Sequence, residues 1–484
     1  MFVQDHHSLD EPQRLTKRAR MSLPIPVGRQ LEVLHLPARG HFVVLGTAGS
    51  GKTTLAILRA AYLADPSTDH AGRTLLLTFN KALVAYLRHL QPRSAPNITT
   101  ENYHLFARGY LNSRGRMTPK GICGPNPRET LIASAVQAVA AQYPHQPLFQ
   151  LPTDFFFEEI KWISDHGLFS REDYLVAERS GRDGLPLNRV RREAVFDVFD
   201  EYRTRREALG KPYDWDNLAT AVCEEFDRDP TSRRYRHVVI DEGQDFSPEM
   251  LRSLTKAIPP DGSLTFFGDA AQQIYGTRIS WRSLGLSVTN RWNFTQNYRN
   301  TRQIARLALA LSRMPYFRGI PDIIEPVAPT ADGPLPTVVR FGSRDDEVDL
   351  VLEQAARLSR TRSVAILLRN RADEGLIVRR LPAGAIRLHR DMTTWETGAR
   401  LRYGTYHSAK GLEFDFVILP FLSNERLPDP DYVAAFGLEN ASTHDGKLLY
   451  VGITRAKAGL ILTYTGDPTS LLPPNSDLYE RITW

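Results

Sequence analysis

Gly46-Thr47-Ala48-Gly49-Ser50-Gly51-Lys52-Thr53 has the spacing G-x-x-x-x-G-K-T. The apolar run His41-Phe42-Val43-Val44-Leu45 precedes it, and the helix-forming run Thr54 to Ala61 follows. Strand, glycine loop and helix in that order are what a phosphate-binding loop needs. The glycines let successive backbone N–H groups curve around phosphate oxygens. The helix N-terminus adds a partial positive charge. Lys52 is expected to reach the β- and γ-phosphates, and Thr53 to hold Mg²⁺ through its hydroxyl. A glycine-rich turn that binds nothing would not require every position and both flanks. The expected ligand is a nucleoside triphosphate held by residues Gly46 to Thr54.

The chain of 484 residues is long enough for two to four domains. Its 42% hydrophobic and 24% charged residues are ordinary for a globular protein. The net charge of +6 permits a polyanionic partner without demonstrating one. Cys123 and Cys223 lie far apart with no metal-like spacing, which supports neither a disulfide framework nor a zinc site and fits a reducing cytoplasm. No apolar run approaches a membrane span and no secretory signal is visible. Residues 1–21 are polar, carry Lys17, Arg18 and Arg20, and read as a disordered extension, with Met21 an alternative start.

Further apolar runs read as buried parallel strands: Thr74 to Phe79, Val238 to Ile240, Leu264 to Phe267, Val364 to Leu368, Phe416 to Leu419 and Leu460 to Tyr464. Helical patterns separate most of them, so the expected class is α/β. The strands cluster before and after about residue 285. Residues 22–106 with 227–285 are expected to form one parallel-sheet domain, and residues 286–484 a second. Between 107 and 226 helical signals dominate. Asp154 reads as a cap of a helix ended by Gly167, and Ser170 as the start of a capping box. This segment is expected to be an all-α insertion.

Val238-Val239-Ile240-Asp241-Glu242-Gly243-Gln244-Asp245 is an apolar strand ending in acids. Asp241 is placed to hold Mg²⁺, and Glu242 to take a proton from an attacking water. Ligands of open α/β sheets bind at such carboxyl ends. Leu264 to Phe267 leads into Gly268-Asp269, with Gln272 and Tyr275 beyond, where a polar side chain could sense a γ-phosphate.

At this point the chain resembles a superfamily 1 helicase of the UvrD/Rep/PcrA type, and the order of motifs carries the resemblance. Gln30 matches the position that reads adenine. Thr78-Phe79-Asn80-Lys81 and Asn102-Tyr103-His104-Leu105-Phe106 resemble motifs that contact single-stranded DNA. Asp241 to Asp245 matches the acidic motif, with Gly243 where the family more often has Ala. Gly268-Asp269 through Gln272 and Tyr275 matches the motif that couples strand to nucleotide. Gln296-Asn297-Tyr298-Arg299 resembles the motif whose Tyr stacks on adenine and whose Arg meets the γ-phosphate. Tyr406 to Phe414 resembles a linking motif, with His407 toward the strand and Glu413 toward the ribose. Tyr450-Val451-Gly452-Ile453-Thr454-Arg455-Ala456 resembles the final motif, whose Arg is an arginine finger.

The resemblance implies two RecA-like domains with the all-α insertion in the first, ATP and Mg²⁺ as cofactors, and single-stranded or tailed DNA as partner. It implies catalytic roles for Lys52, Asp241, Glu242, Gln272, Arg299 and Arg455. It implies strand contacts at Phe79, Asn80, Tyr103, His104, Tyr275 and His407. Two departures stand out. Thr277 occupies the place of a base-stacking Trp, with Trp281 nearby. The stretch from Arg299 to Tyr403 leaves little room for the usual accessory domain. Two readings stay open. One is a 3′-to-5′ ATP-driven DNA translocase or helicase. The other is a nucleotide-gated DNA-binding subunit that controls a nuclease partner in an anti-phage module.

Overall fold

A computed structural model describes residues 26, 28–47, 49–90, 97–179, 187–269, 281–295, 297, 299–317, 331–389, 392, 395, 400–475 and 477–484. The first lobe contains strands β1 (Gly40–Gly46), β2 (Thr74–Thr78), β3 (Ile98–Asn102), β4 (His237–Ile240), β5 (Ser263–Gly268) and β6 (Val288–Phe294). They form a six-stranded sheet in the order β3-β2-β4-β5-β1-β6, with every pairing parallel. Parallel strands need crossovers, and helices supply them. Lys52–Ala64 follows β1 and Lys81–Leu90 follows β2. The strand order places β1 between β5 and β6, and β4 between β2 and β5. The carboxyl ends of β1, β4 and β5 therefore share one edge.

The second lobe contains β7 (Thr337–Phe341), β8 (Val364–Leu368), β9 (Ile386–Arg387), β10 (Leu401–Thr405), β11 (Phe414–Leu419), β12 (Ala456–Thr465) and β13 (Glu480–Thr483). They form a seven-stranded parallel sheet in the order β13-β7-β12-β11-β8-β10-β9. The two parallel sheets with their helices are the expected RecA-like α/β architecture. The first sheet runs past residue 285, where the sequence places its end, because β6 pairs with β1.

Among the described residues, the named elements between β3 and β4 are helices and short 3₁₀ turns. The helix Thr153–His166 is preceded by Pro152 as its cap, so Asp154 lies inside the first turn. Gly167 ends it at φ 70°, a left-handed conformation that glycine adopts without steric cost. The Ser170 hydroxyl accepts from the Asp173 N–H at 3.1 Å and caps the next helix. Ile132, Phe156, Ile160, Val195, Phe199 and Tyr202 belong to a core built by these helices, against which Phe436 of the second lobe also packs.

The two lobes share buried apolar surface. Leu83 and Leu87 of the first belong to the same cluster as Tyr406, Ala409 and Leu412 of the second. The fit is close at Gly411: a Cβ there would lie 2.4 Å from Leu83 Cδ2. The Asn80 side-chain amide donates to the carbonyls of Ser408 and Lys410, each at 3.1 Å. Lys410 forms a buried ion pair with Asp245.

Candidate nucleotide site and strand-facing surface

The phosphate loop leaves β1 through Gly46 and Thr47 and enters the helix Lys52–Ala64. Gly49 and Gly51 have φ of 80° and 84°, values that exclude most side chains. A Cβ on Gly49 would lie 2.2 Å from Asn297 Oδ1, so the loop also packs against the segment after β6. The Gln30 amide donates to the Ser50 carbonyl at 3.3 Å, and Thr54 is half-buried on the helix. Lys52 is buried and curls back. Its ammonium donates to Gly46 O at 2.8 Å and Thr47 O at 2.7 Å, with Asp269 at 3.7 Å. Burial lowers the Lys52 pKa, while Asp269, Glu242 and Asp241 oppose that shift.

Asp241 and Glu242 follow β4 into the same space. Neither Asp241 carboxylate oxygen has a hydrogen-bond partner, although both are buried. Burial and then the charge of Glu242 push Asp241 up to about 7, against the Thr53 hydroxyl and Lys52. An orphaned carboxylate beside a hydroxyl matches the oxygen donors that Mg²⁺ takes. Among the described residues no group of three or more His, Cys, Asp or Glu could hold a metal alone. A cation at Asp241 and Thr53 would complete its shell with phosphate and water oxygens, as Mg²⁺ usually does.

Glu242 sits at φ 53°, a strained value for a residue with a Cβ. Burial raises its pKa, but Arg455, Lys52, the Gln244 amide and Lys410 together hold it below the usual range. Gln244 also accepts the Asp269 N–H at 2.8 Å, tying the ends of β4 and β5 together.

Arg455 comes from the second lobe and is 1% exposed. Its guanidinium donates to Val451 O at 3.1 Å and to the Thr454 hydroxyl at 3.2 Å. Burial and then the nearby Arg299 lower it to about 10, so it stays charged at neutral pH. Arg299 pairs with Glu413 at 2.5 Å, bringing two expected nucleotide residues together. The Arg299 Nε is buried without a partner. Ala48, Gln272, Tyr275, Thr277, Gln296 and Tyr298 lie outside the described residues.

The expected strand contacts separate into different environments. Phe79 and His104 are half-buried neighbours with ring centroids 5.6 Å apart. Tyr103 is a correction: it is fully buried, with its hydroxyl 2.6 Å from Ser253 Oγ, because it faces the core under the helix it begins. Asn80 is half-buried, and its amide donates to carbonyls of the second lobe. His407 is half-buried, and burial followed by Lys410 lowers its pKa well below 6.5, so it is neutral at pH 7. The sequence reading missed Trp215, which stands 5.4 Å from His104 with Arg108 over its ring at 5.9 Å. A lone Trp between Asp214 and Asp216 offers no periodic signal. It also missed the roles of Gln244, Asp245 and Lys410, which the quoted motifs contain.

The AAA domain family model matches residues 30–278, more than half of the chain. The UvrD-like helicase C-terminal domain matches residues 396–467. The chain belongs to the UvrD-like superfamily 1 helicase family. The putative ATP-dependent DNA helicase YjcD of Bacillus subtilis is 25% identical over 287 residues, 56% of this chain and 36% of that protein. The ATP-dependent DNA helicase UvrD2 of Mycobacterium tuberculosis is 25% identical over 349 residues, 67% of this chain and 48% of that protein. A probable DNA helicase of Mycoplasma pneumoniae is 21% identical over 468 residues, 87% of this chain and 80% of that protein. The chain spans between a third and a half of the length of the first two of these UvrD-like relatives. No helix among the described residues is long and apolar enough to cross a membrane.

Proposed function

We propose that this chain is an ATP-hydrolysing motor that moves along single-stranded DNA, 3′ to 5′, and separates duplexes. The observation that carries this reading is electrostatic: Arg455 of the second lobe is the largest charge holding Glu242 of the first below its usual range, against burial. A base that stays ionised while shielded from water can accept a proton from the nucleophile. Lys52 would exchange its loop carbonyls for phosphate oxygens, and the loop N–H groups would cradle the same phosphates. Thr53 and Asp241 would hold Mg²⁺, which supplies charge neutralisation at the β- and γ-oxygens. Arg299 and Arg455 would close from the other wall, where guanidinium forks bind phosphate bidentately. Loss of the γ-phosphate weakens the attraction between the walls, so the lobes separate. Phe79 and His104 offer aromatic faces on which a base can stack, and successive closures then advance the strand.

The test is ATP hydrolysis with and without single-stranded DNA, followed by strand separation on a 3′-tailed duplex. Stimulation by the strand and unwinding of the tailed duplex are expected. Hydrolysis indifferent to every nucleic acid would defeat the proposal.

A further inference from the structure

The edge of the first sheet opposite the phosphate loop bounds a second cavity of about 750 Å³. Its lining comes from the amino-terminal ends of the strands: Arg73 precedes β2, Arg236 precedes β4, and Asp261 lies just ahead of β5. The phosphate loop and acid pair lie at the carboxyl ends. Strands rise about 3.3 Å per residue, so the length of the strands separates the two places.

Arg236 is held in a fitted seat. A Cβ on Gly72 would lie 2.7 Å from Arg236 Cβ, and one on Gly262 would lie 2.2 Å from Arg236 O. The guanidinium donates to Ala71 O at 3.3 Å and pairs with Asp261 at 3.3 Å, while its Nε is buried without a partner. Arg233 donates to the carbonyls of Phe226, Asp229, Thr231 and Lys256, which fixes the loop. Carbonyls do not cancel its charge. Asp229 is engaged elsewhere, by Arg114 at 3.5 Å and the Tyr110 hydroxyl at 2.9 Å. Arg73 and Arg234 are exposed, and neither forms an ion pair among the described residues. The cavity therefore presents Arg73, Arg233, Arg234 and Arg236, while both acids of its lining are engaged, Asp261 by Arg236 and Asp229 by Arg114 and Tyr110.

The geometry points to a binding site for a small anion carrying two or more phosphates, separate from the nucleotide loop. Guanidinium groups supplied to one cavity by two chain segments, Arg73 from one and Arg233, Arg234 and Arg236 from the other, suit bidentate phosphate binding. The volume lies within the roughly 300–1,000 Å³ of small-ligand pockets. Pro230, Pro259 and Ile258 add rigid apolar wall. A nucleic-acid strand would instead require a continuous basic track, and Asp261 interrupts this one.

The experiment is calorimetric titration of inorganic tripolyphosphate into the full chain carrying Lys52→Ala, which removes the loop ammonium. One equivalent is expected that Arg73→Glu with Arg234→Glu removes or weakens by at least about ten-fold, with an unchanged melting temperature. Arg236→Lys keeps the charge but loses the fork, and is expected to weaken the same equivalent. Tripolyphosphate binding indifferent to the charge reversal overturns the site. So does loss of single-stranded DNA affinity in the reversed protein with no tripolyphosphate equivalent to remove, since the patch would then belong to a strand path. DNA-stimulated hydrolysis by the otherwise wild-type Arg73→Glu/Arg234→Glu chain is expected to be unchanged. The outcome at this cavity is thus separable from the outcome for the motor.

Discussion

Lys52 and Glu242 are buried, oppositely charged and part of one electrostatic group, yet neither satisfies the other directly. Lys52 bonds its own loop, and Glu242 takes the Gln244 amide. Each is held near a third participant. Lys52→Ala is expected to weaken ATP binding and abolish hydrolysis. Glu242→Gln should leave ATP affinity nearly intact while stopping turnover, read by fluorescent-nucleotide titration beside phosphate release; wild-type release would remove the base role. Gly49→Ala places a Cβ on Asn297 Oδ1 at a positive φ. It should lower stability by about 1–3 kcal/mol and weaken ATP binding, read by thermal melting with and without nucleotide. An unaltered melt would show that the loop repacks freely. The sequence names the loop residues because phosphate binding demands them consecutively. It does not reveal that Asn297 backs the loop, because that contact depends on the path of the chain after β6.

At the scale of elements, apolar runs locate β1, β2, β4, β5, β8, β11 and β12, which are buried within the sheets. Other strands are harder to read for a physical reason. Ile98–Asn102 and Val288–Phe294 lie at the two edges of the first sheet, so they carry polar side chains at alternate or successive positions. The Asn102-Tyr103-His104 stretch shows a related effect. Tyr103 turns into the core and His104 outward because a helix begins there, so neighbours in one motif have opposite fates. Phe79→Ala should weaken single-strand binding by roughly 1–3 kcal/mol in a fluorescence-anisotropy titration if a base stacks there. Unchanged affinity would leave Phe79 as a packing residue against Phe246.

His237 opens β4, with Nδ1 2.9 Å from Ser263 Oγ and Nε2 donating to His70 O at 2.9 Å. Burial lowers its pKa from 6.5 to about 4. The unfolded chain therefore takes up a proton at higher pH than the folded one. Stability from this group is full above about pH 6.5 and declines as pH falls toward about 4, by up to roughly 3 kcal/mol. Urea unfolding across that window should show a smaller decline in His237→Gln than in the wild type. Equal slopes would mean that His237 titrates normally.

At the scale of the whole molecule, the order of motifs leads to the expectation of one nucleotide between two lobes, because residues so distant in sequence share a ligand only across a cleft. The latch between the lobes was not legible. Asn80 and Ser408 lie 328 residues apart, and nothing local marks an amide as an interdomain tie. The Lys410–Asp245 pair is similar: 6% and 2% side-chain exposure make it costly to break from one side. Lys410→Met leaves Asp245 unpaired, and breaking such a pair costs about 3–5 kcal/mol. Together with Asn80→Ala it should loosen the lobes, giving a larger radius of gyration in solution scattering; an identical profile would show that the apolar contact at Leu83 and Gly411 suffices.

The central claim is that the second lobe completes a site begun by the first, and steady-state ATP hydrolysis by Arg455→Ala at saturating single-stranded DNA tests it most directly. The account predicts retained ATP binding with turnover reduced by about 10³–10⁵-fold. Turnover equal to that of the wild type would contradict it.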